Sequence, residues 1–371
     1  MQQQILKLCS QFNINYNLIS YKFINNGHIN TTIEVVFFDG EKNKRYILQK
    51  INKYVFKNPE DIMQNIANVT AFLKQKMKEN GNGQKVLKFY NSIYGKPYVT
   101  DVNGEYWRLC KFIENSVTFN KTDDLNIIEE TGKAFGNFQA LLSDYPIETL
   151  NITIPDFHNV PNRYIVLQNA IVSDSYGRAK TVLQELDTIY KLQNQVCLLQ
   201  SMQEQGKLKI RVTHNDTKCN NILFDFNTHK YKSVIDLDTV MPGLVAYDFG
   251  DAIRYIANTS NEDEQNLSKV KIDLNKYKAF TKGFLHKLAD NLTSTEKNTL
   301  TLGALTITTE CAIRFLTDYL EGDKYFKTDY PEHNLIRARC QLALANSMVK
   351  NYNKMQEIVK TCIKDYNKEK Q

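Results

Sequence analysis

A short block near the middle of the chain has the residue types and spacing of phosphoryl-transfer chemistry. His214 is followed by Asp216 and then, five positions later, by Asn221. This is the HxDxxxxN spacing of a kinase catalytic loop, in which the acid accepts the proton of the attacking hydroxyl and the amide helps to hold Mg²⁺. Because the spacing alone is common by chance, the interpretation depends on the segment that follows it.

That segment has the pattern of a β-hairpin. The apolar run 222–224 leads into turn residues at 227–229, and a second run returns to end at Asp236. Such a hairpin brings a second acid back beside the first. Mg²⁺ prefers oxygen ligands, so we predict Asp216 as the base and Asn221 with Asp236 as ligands of the metal on the nucleotide phosphates.

Other residues of the block receive different roles. The Lys218 ammonium is close enough in sequence to Asp216 to reach the transferred phosphate and offset its charge, although it could also be a surface lysine. His214 is predicted to be structural, because the acid serves as the base in kinase chemistry. The triplet DFG at 248–250 lies beyond the hairpin, so its aspartate and Asp251 are predicted to support a helix start and the loop.

The segments before this block have the pattern of a small β-rich lobe. Residues 21–50 contain three β-type runs separated by turn residues, which predicts an antiparallel meander. Apolar residues at helical spacing after Pro59 predict a helix over 59–79, and short strand-like runs fill 86–113. We expect an N-terminal nucleotide-binding lobe over residues 1–113.

Beyond a hinge at about residues 112–116 the pattern becomes mainly helical. Thr293 and Glu296 form a capping box that predicts a helix over 295–320. We expect an α+β protein, with a larger, mainly helical C-terminal lobe over 117–371 that carries the catalytic loop, the metal hairpin and the substrate pocket.

The composition excludes several classes of protein. Of 371 residues, 47 are Lys or Arg and 41 are Asp or Glu, a difference of 6 that is spread along the chain and gives no support to nucleic-acid binding. The 7 cysteines are odd in number and lack CxxC spacing, which fits neither a disulfide framework nor a zinc site. No signal peptide or membrane span is recognisable. We expect a cytoplasmic monomer that binds small molecules.

The sequence resembles the aminoglycoside-phosphotransferase and choline-kinase-like superfamily and, more narrowly, the bacterial N-acetylhexosamine 1-kinases. Five blocks that span the chain in order carry this resemblance. They are GHIN (27–30), YILQKIN (46–52), VTHNDTKCNNILFD (212–225), VIDLDTVMPGLVAYDFGDAIR (234–254) and YLEGDKYFKTDYPEHNL (319–335). The last block, and not the HxDxxxxN core, narrows the resemblance to sugar kinases.

The resemblance implies a two-lobed protein-kinase-like fold that uses ATP and Mg²⁺ to phosphorylate the anomeric hydroxyl of GlcNAc or GalNAc. It implies the same roles for Asp216, Asn221 and Asp236 as the spacing does. Backbone groups of Phe112, Ile113 and Glu114, at the lobe junction, would bind adenine.

The first lobe departs from the superfamily pattern at the phosphate-binding strand. Gln49 stands where a strand lysine or arginine usually binds the α- and β-phosphates, and Lys50 should point to the opposite face. Nucleotide binding is therefore expected to depend on the metal, Lys218 and backbone amides.

A polar stripe on the predicted helix over 295–320 suggests the acceptor pocket. Glu310, Arg314 and Asp318 recur every four residues on one face, which is also the pattern of an ordinary solvated stripe. The resemblance favours a sugar pocket formed by Glu310, Arg314, Tyr325 and, from the first lobe, His28.

The sequence allows three alternatives to a sugar kinase to be compared, and it disfavours two of them. The same core motif serves kinases of other small hydroxyl compounds, such as an aminoglycoside, an amino alcohol or homoserine, but Arg314 would oppose a cationic substrate. A non-catalytic pseudokinase is disfavoured by the presence of Asp216, Asn221 and Asp236 together. A eukaryotic-type protein kinase is disfavoured because no room for an activation loop follows Asp236.

Overall fold

A five-stranded antiparallel sheet forms the N-terminal part of the protein in this computed structural model, which describes residues 1–24, 30–79 and 84–371. Its elements, in chain order, are α1 (Gln2–Ser10), β1 (Asn17–Ile24), β2 (Thr31–Phe38), β3 (Asn43–Lys50), α2 (Pro59–Glu79), β4 (Val99–Thr100) and β5 (Tyr106–Lys111). The strand order β1-β2-β3-β5-β4 places β5 directly beside β3. That neighbour relationship positions part of the candidate site.

The remainder of the chain is mainly helical and encloses three short strand pairings. Its elements are β6 (Ser116–Val117), α3 (Leu125–Leu141), α4 (Val160–Ser173), α5 (Leu183–Val196), α6 (Leu198–Glu204), β7 (Arg211–Thr213), β8 (Ile222–Asp225), β9 (Tyr231–Val234), β10 (Met241–Gly243), α7 (Val245–Ile256), α8 (Leu274–Leu288), α9 (Ser294–Leu320) and α10 (His333–Glu369). The pairs are β7 with β10, and β8 with both β6 and β9. None of the described helices is both long and apolar enough to cross a membrane.

Most of the predicted elements are confirmed. The meander is β1–β3, the helix after Pro59 is α2, and the hairpin after the catalytic loop is β8–β9. The capping box of α9 is complete, since the Thr293 hydroxyl accepts from the Glu296 amide and the Glu296 carboxylate accepts from the Thr293 amide. These features depend on residues close in sequence, which is why the pattern alone revealed them.

One predicted strand, over 86–92, is wrong. Only Phe89 of this run forms a β-bridge, with Cys110 on β5. The short strand β4 occupies the same edge of β5 at Trp107 and Tyr106. The run pairs only with the other end of β5, where the Tyr90 amide donates to the Leu109 carbonyl at 2.9 Å and the Lys111 amide donates to the Lys88 carbonyl at 2.8 Å.

The two parts of the chain share a hydrophobic core. Ile62 and Ile66 of α2 belong to one buried cluster with Phe138 of α3 and Leu237, which follows β9. The predicted boundary near residue 113 therefore divides the secondary-structure elements into two groups, but one hydrophobic core extends across it. This shared core packs α2 against α3 and against the segment that follows β9.

Helices α7 and α9 approach closely through a pair of glycines. A Cβ atom at Gly250 would lie 2.3 Å from the Gly303 carbonyl oxygen. We predict that Gly250→Ala lowers the free energy of unfolding by about 1–3 kcal/mol, the usual cost of overpacking, in urea titrations. Asn298→Ala, at an exposed position of α9, is the control and should change it by less than about 0.5 kcal/mol. Equal stability of the Gly250 variant and wild type would contradict this close packing.

Candidate active site

The catalytic loop connects β7 to β8, with Asp216 at its centre. One carboxylate oxygen accepts from Asn221 Nδ2 at 2.9 Å, and the other lies 3.0 Å from the Lys218 ammonium. Burial alone would raise the pKa of Asp216, but the charge of Lys218 and these hydrogen bonds outweigh it and lower the pKa. The carboxylate is 27% exposed. Asp216 is therefore ionised near neutral pH and accessible to a substrate hydroxyl.

Backbone hydrogen bonds hold the end of the β8–β9 hairpin beside this loop. The Ile235 amide donates to the Asn221 carbonyl at 2.9 Å, and the Ile235 carbonyl accepts from His214 Nε2 at 2.9 Å. Asp236 follows with φ of 60°, in the left-handed region that aspartate enters more readily than most residues. The hairpin thus returns Asp236 to the loop that carries Asp216, as the sequence pattern predicted.

His214 is fully buried and stabilises the catalytic loop through its two ring nitrogens. Its Nε2 is committed to the Ile235 carbonyl, and its Nδ1 accepts from the Asp216 amide at 3.3 Å. The rings of Phe135 and Phe138 pack edge-on against it. With both nitrogens engaged, this histidine has a structural position.

The oxygen atoms around Asp236 fit a divalent cation. Asp236 is open to the cleft, yet the surrounding protein excludes enough water, and Asp238 and Asp216 add enough negative charge, to raise its pKa to about 7. A bound cation would relieve this repulsion. Asn221 uses Nδ2 on Asp216, so its Oδ1 is the atom left for a metal.

The donor set also indicates which kind of metal site this is. Within the described residues, no cluster of three or more His, Cys, Asp and Glu side chains could hold a metal on its own. Mg²⁺ commonly binds through one or two carboxylates together with substrate phosphates and water. Asp236 and Asn221 fit that shared arrangement better than a protein-only cage.

Helix α7 anchors the catalytic loop through two acids. The Asp248 carboxylate is 1% exposed and accepts from the amides of His214 and Asn215 at 2.8 and 2.7 Å. The Asp251 carboxylate accepts from the Thr217 amide at 2.8 Å. Both acids accept from the loop backbone, which confirms the predicted support of the loop. The predicted role at a helix start is wrong for Asp251, because α7 begins at Val245, which places Asp248 in its first turn and Asp251 beyond it.

The N-terminal side of the cleft contains a buried arginine. Arg108 of β5 is paired in register with Gln49 of β3, donates from Nε to Gln49 Oε1 at 3.0 Å and forms an ion pair with Asp238. Gln49 Nε2 donates to Thr32 Oγ1 at 2.9 Å. Lys50 pairs in register with Trp107 instead. Gln49 is thus engaged within the protein.

Hinge backbone groups are only partly available for a nucleotide base. The Phe112 amide donates to the Arg45 carbonyl at 3.1 Å, and the Glu114 carbonyl accepts from Lys232 Nζ at 3.2 Å. The Phe112 carbonyl and the amides of Ile113 and Glu114 have no hydrogen-bond partner within the described residues. These three groups remain for the predicted contact with adenine.

Arg314 lies among aromatic rings. Its guanidinium carbon is 5.3 Å from the Phe157 ring centre, 5.4 Å from Phe326 and 6.0 Å from Tyr325. It is half-buried and forms no hydrogen bond or ion pair with any other described residue. Asp318 fixes the neighbouring loop by accepting from the Tyr325 amide at 2.7 Å. The structure therefore joins Arg314 and Tyr325, two of the predicted pocket residues.

Glu310 lies behind this cluster and is 1% exposed. Its carboxylate accepts from His158 Nδ1 at 2.7 Å and lies 3.5 Å from Arg163 Nε. Burial would raise the pKa of Glu310, but the His158 hydrogen bond and the charges of His158, Arg314 and Arg163 lower it. Glu310 is positioned to support His158 and Arg163, since no surface of it faces the cleft.

The catalytic loop and the Arg314 cluster belong to one charged region. Arg254 forms ion pairs with Asp251 and Glu262, and its charge acts on both Lys218 and Arg314. His28, the remaining predicted pocket residue, lies outside the described residues.

A cavity of about 270 Å³ opens beside the catalytic loop, between the segment before α4 and β10. Asn215, Tyr247, Phe157 and His158 contribute to its walls, whereas Arg314 and Tyr325 do not. Phe157 and His158 are thus shared: they line the cavity and also contact Arg314 and Glu310.

Comparison with known families gives a decisive match. The family model described as the phosphotransferase enzyme family, APH, matches residues 20–278. The chain belongs to this phosphotransferase family. The match includes most of the sheet, the catalytic loop, the β8–β9 hairpin and α7, and it ends within α8.

Solved structures share the fold of this phosphotransferase over 92–97% of its length. A microcompartment-associated aminopropanol kinase is 14% identical, with a TM-score of 0.65 over 96% of this chain and 99% of that chain. An aminoglycoside phosphotransferase from Alicyclobacillus acidocaldarius is 12% identical, with a TM-score of 0.57 over 97% and 96%. A spectinomycin phosphotransferase in complex with ADP and spectinomycin is 13% identical, with a TM-score of 0.55 over 92% and 97%. These likenesses confirm the predicted two-lobed kinase-like fold.

Four site residues of the phosphotransferase escaped the sequence interpretation. Asp238 stands two positions after Asp236 in the sequence IDLD, and this second acid could have been recognised as a candidate site residue from the sequence. Arg108, His158 and Arg163 carry no motif, and their partners Asp238 and Glu310 lie far away in sequence. Only the packing of separate elements brings them to the cleft.

Proposed function

We propose that this phosphotransferase moves the γ-phosphoryl group of ATP to the anomeric hydroxyl of an N-acetylhexosamine, GlcNAc or GalNAc, and requires Mg²⁺. The observation that carries the choice of a neutral acceptor is Arg314, a half-buried cation that forms no direct ion pair or hydrogen bond within the described residues and lies next to the exposed Tyr325. The sequence resemblance to N-acetylhexosamine 1-kinases points to the same acceptor.

The catalytic step follows from the geometry of the loop. Asp216 accepts the proton of the acceptor hydroxyl as its oxygen attacks the γ-phosphorus. A new O–P bond forms, the bond between that phosphorus and the β–γ bridging oxygen breaks, and ADP leaves. Lys218, held 3.0 Å from Asp216, offsets negative charge on the transferred group. An anomeric hydroxyl is more acidic than an ordinary alcohol, so a carboxylate base is adequate.

Asn221 Oδ1 and the Asp236 carboxylate would hold Mg²⁺ on the triphosphate. When bound, the metal supplies charge neutralisation and orientation of the phosphates. The hydrogen bonds of Ile235 to Asn221 and His214 keep these two ligands at fixed positions before nucleotide binds. That preorganisation reduces the cost of assembling the site.

The charge of the acceptor region disfavours cationic substrates. Sites for ammonium groups use carboxylates or cages of aromatic rings. Here the rings of Phe157, Tyr325 and Phe326 surround the protein's own Arg314, and the nearby Glu310 is already engaged by His158 and Arg163. An amino alcohol or aminoglycoside would meet positive charge, whereas sugar hydroxyl and acetamido oxygens can accept from it.

An acceptor panel tests the proposal. ATP consumption is measured with Mg²⁺ and GlcNAc, GalNAc, glucose, choline, aminopropanol or kanamycin, and phosphorus NMR locates the phosphate on any product. We expect turnover with an N-acetylhexosamine and phosphate at the anomeric carbon. Turnover confined to an amine would refute the sugar substrate while retaining the kinase, and ATP binding without turnover for any acceptor would revive the pseudokinase.

We predict that Arg314→Met raises KM for the sugar by about 10- to 100-fold, the usual worth of a hydrogen bond to a charged group, with a smaller change in KM for ATP. Initial rates at varied sugar and ATP concentrations separate the two constants. Lys327→Met, at an exposed position of the neighbouring loop, removes the same charge and should leave both constants within about twofold. A rise confined to KM for ATP would place Arg314 in a different role.

A further inference from the structure

Arg108 is a buried charge for which the catalytic scheme gives no role. It is 2% exposed, and its partner Asp238 is 3% exposed. Removing two charges from water is costly, and a well-packed apolar pair of similar volume is often as stable. Stability alone therefore does not explain why an ion pair occupies this place.

The Arg108 side chain connects three strands of the N-terminal sheet. Cross-strand partners directly opposite each other lie on the same face, and Arg108 on β5 is opposite Gln49 on β3. Gln49 accepts from Arg108 and donates to Thr32 of β2. The orientation of the guanidinium is thus set by the sheet.

On the other side of the cleft, the Asp238 carboxylate accepts its hydrogen bonds, among the residues that the structure describes, from the N-terminal part of the chain. One oxygen pairs with Arg108, and the other accepts from Asn30 Nδ2 at 2.6 Å. The next residue, Thr239, is bonded through Oγ1 to the His214 carbonyl at 2.7 Å. The turn that begins at Asp236 is consequently fixed at both ends, by the sheet and by the catalytic loop.

We propose that Arg108 is a positioning residue for the metal–nucleotide site: through Asp238 it fixes the turn that presents Asp236 to the cleft. Arg108 also places a positive charge beside β3, where Gln49, at the usual position of a phosphate-binding lysine or arginine, is neutral. The inference rests on the proposed function in one respect, that Asp236 binds the metal of a Mg²⁺–nucleotide complex.

Three variants separate positioning from simple stability. Arg108→Met leaves the Asp238 carboxylate buried and unpaired, Asp238→Asn leaves the guanidinium unpaired, and the double variant removes both charges. We expect each single variant to lower the melting temperature and the double variant to recover most of the loss. We expect all three to weaken Mg²⁺–ADP binding, measured by calorimetry, by about 10- to 100-fold, as partners of metal ligands typically do.

Kinetic constants and the charge-conserving variant Arg108→Lys distinguish an effect on nucleotide binding from a general effect on the enzyme. KM for ATP should rise in the double variant while KM for the acceptor stays within about twofold, and Arg108→Lys should recover part of the binding because it keeps the charge but not the fork-shaped geometry. Arg339→Met, which breaks the peripheral Arg339–Glu185 ion pair between α10 and α5, is the control and should leave Mg²⁺–ADP affinity unchanged.

The outcomes distinguish the two hypotheses. If the double variant recovers Mg²⁺–ADP affinity together with melting temperature, Arg108 is only structural and the inference fails. If Asp236→Asn leaves Mg²⁺–ADP affinity unchanged, the proposed metal site itself fails. Weakened binding in the Asp236 variant with wild-type binding in the double variant would overturn the inference alone.

Discussion

Replacing Asp216 by asparagine should lower kcat by a factor on the order of 10² to 10⁴, the usual contribution of a general base. The lowered pKa of Asp216, held down against its burial by Lys218 and the hydrogen bonds of the loop, keeps the carboxylate ready to accept a proton. An amide has nearly the same shape and still accepts from Asn221, but it cannot take up that proton. ATP affinity should stay nearly unchanged.

Single-turnover rates and calorimetric ATP binding test the two parts of this expectation separately. Asp187→Asn, at an exposed ion pair on α5, removes one carboxylate far from the cleft and should match wild type in both measurements. If Asp216→Asn loses ATP affinity while its single-turnover rate is retained, Asp216 binds nucleotide and another group is the base.

Replacing Asp236 by asparagine should have a similarly large effect, about 10³-fold in kcat/KM for ATP, because a charged metal ligand supplies several kcal/mol of charge stabilisation. The Mg²⁺ concentration needed for half-maximal activity should rise as well. Asn221, the other proposed ligand, stays in place in this variant, so residual binding is expected at high Mg²⁺.

Although Asp236→Asn lowers kcat/KM, it should not lower thermal stability. This difference distinguishes a metal ligand from a structural acid. Desolvation and the charges of Asp238 and Asp216 raise the pKa of Asp236 to about 7. When the pKa of a carboxyl group is higher in the folded state than in the unfolded state, the folded state binds the proton more tightly. The protein therefore loses stability as the pH rises from the unfolded pKa to the folded pKa. Without Mg²⁺ at pH 8, Asp236→Asn should therefore melt no lower than wild type, and its advantage should shrink at pH 4. Lower melting at pH 8 would mean that Asp236 is a structural acid.

The parts of the fold that were predictable from sequence are those made by nearby residues. Pro59 with the apolar spacing after it predicted α2, and Thr293 with Glu296 predicted the start of α9. The strand predicted over 86–92 is reduced to a single β-bridge, because β4 pairs with part of the same edge of β5. Competition between segments for one partner does not appear in the pattern of either segment.

The candidate site divides in the same way. Asp216, Lys218, Asn221 and Asp236 lie in one segment, and hydrogen bonds between loop and hairpin join them. Glu310 shows the limit of periodicity: its place on the stripe was visible, but its burial against His158 and Arg163 was not.

The amino-acid sequence by itself determined the catalytic loop, the returning hairpin and the change from a β-rich to a mainly helical part, because backbone geometry and local hydrogen bonding specify these over short distances. The kinase-like plan was implied by the family resemblance. Tertiary structure alone decided which charges are buried and what neutralises them. Arg108 with Asp238, and Arg314 among its aromatic rings, meet only after separate elements pack. Burial makes the strength of such contacts depend on neighbours that are remote in the chain.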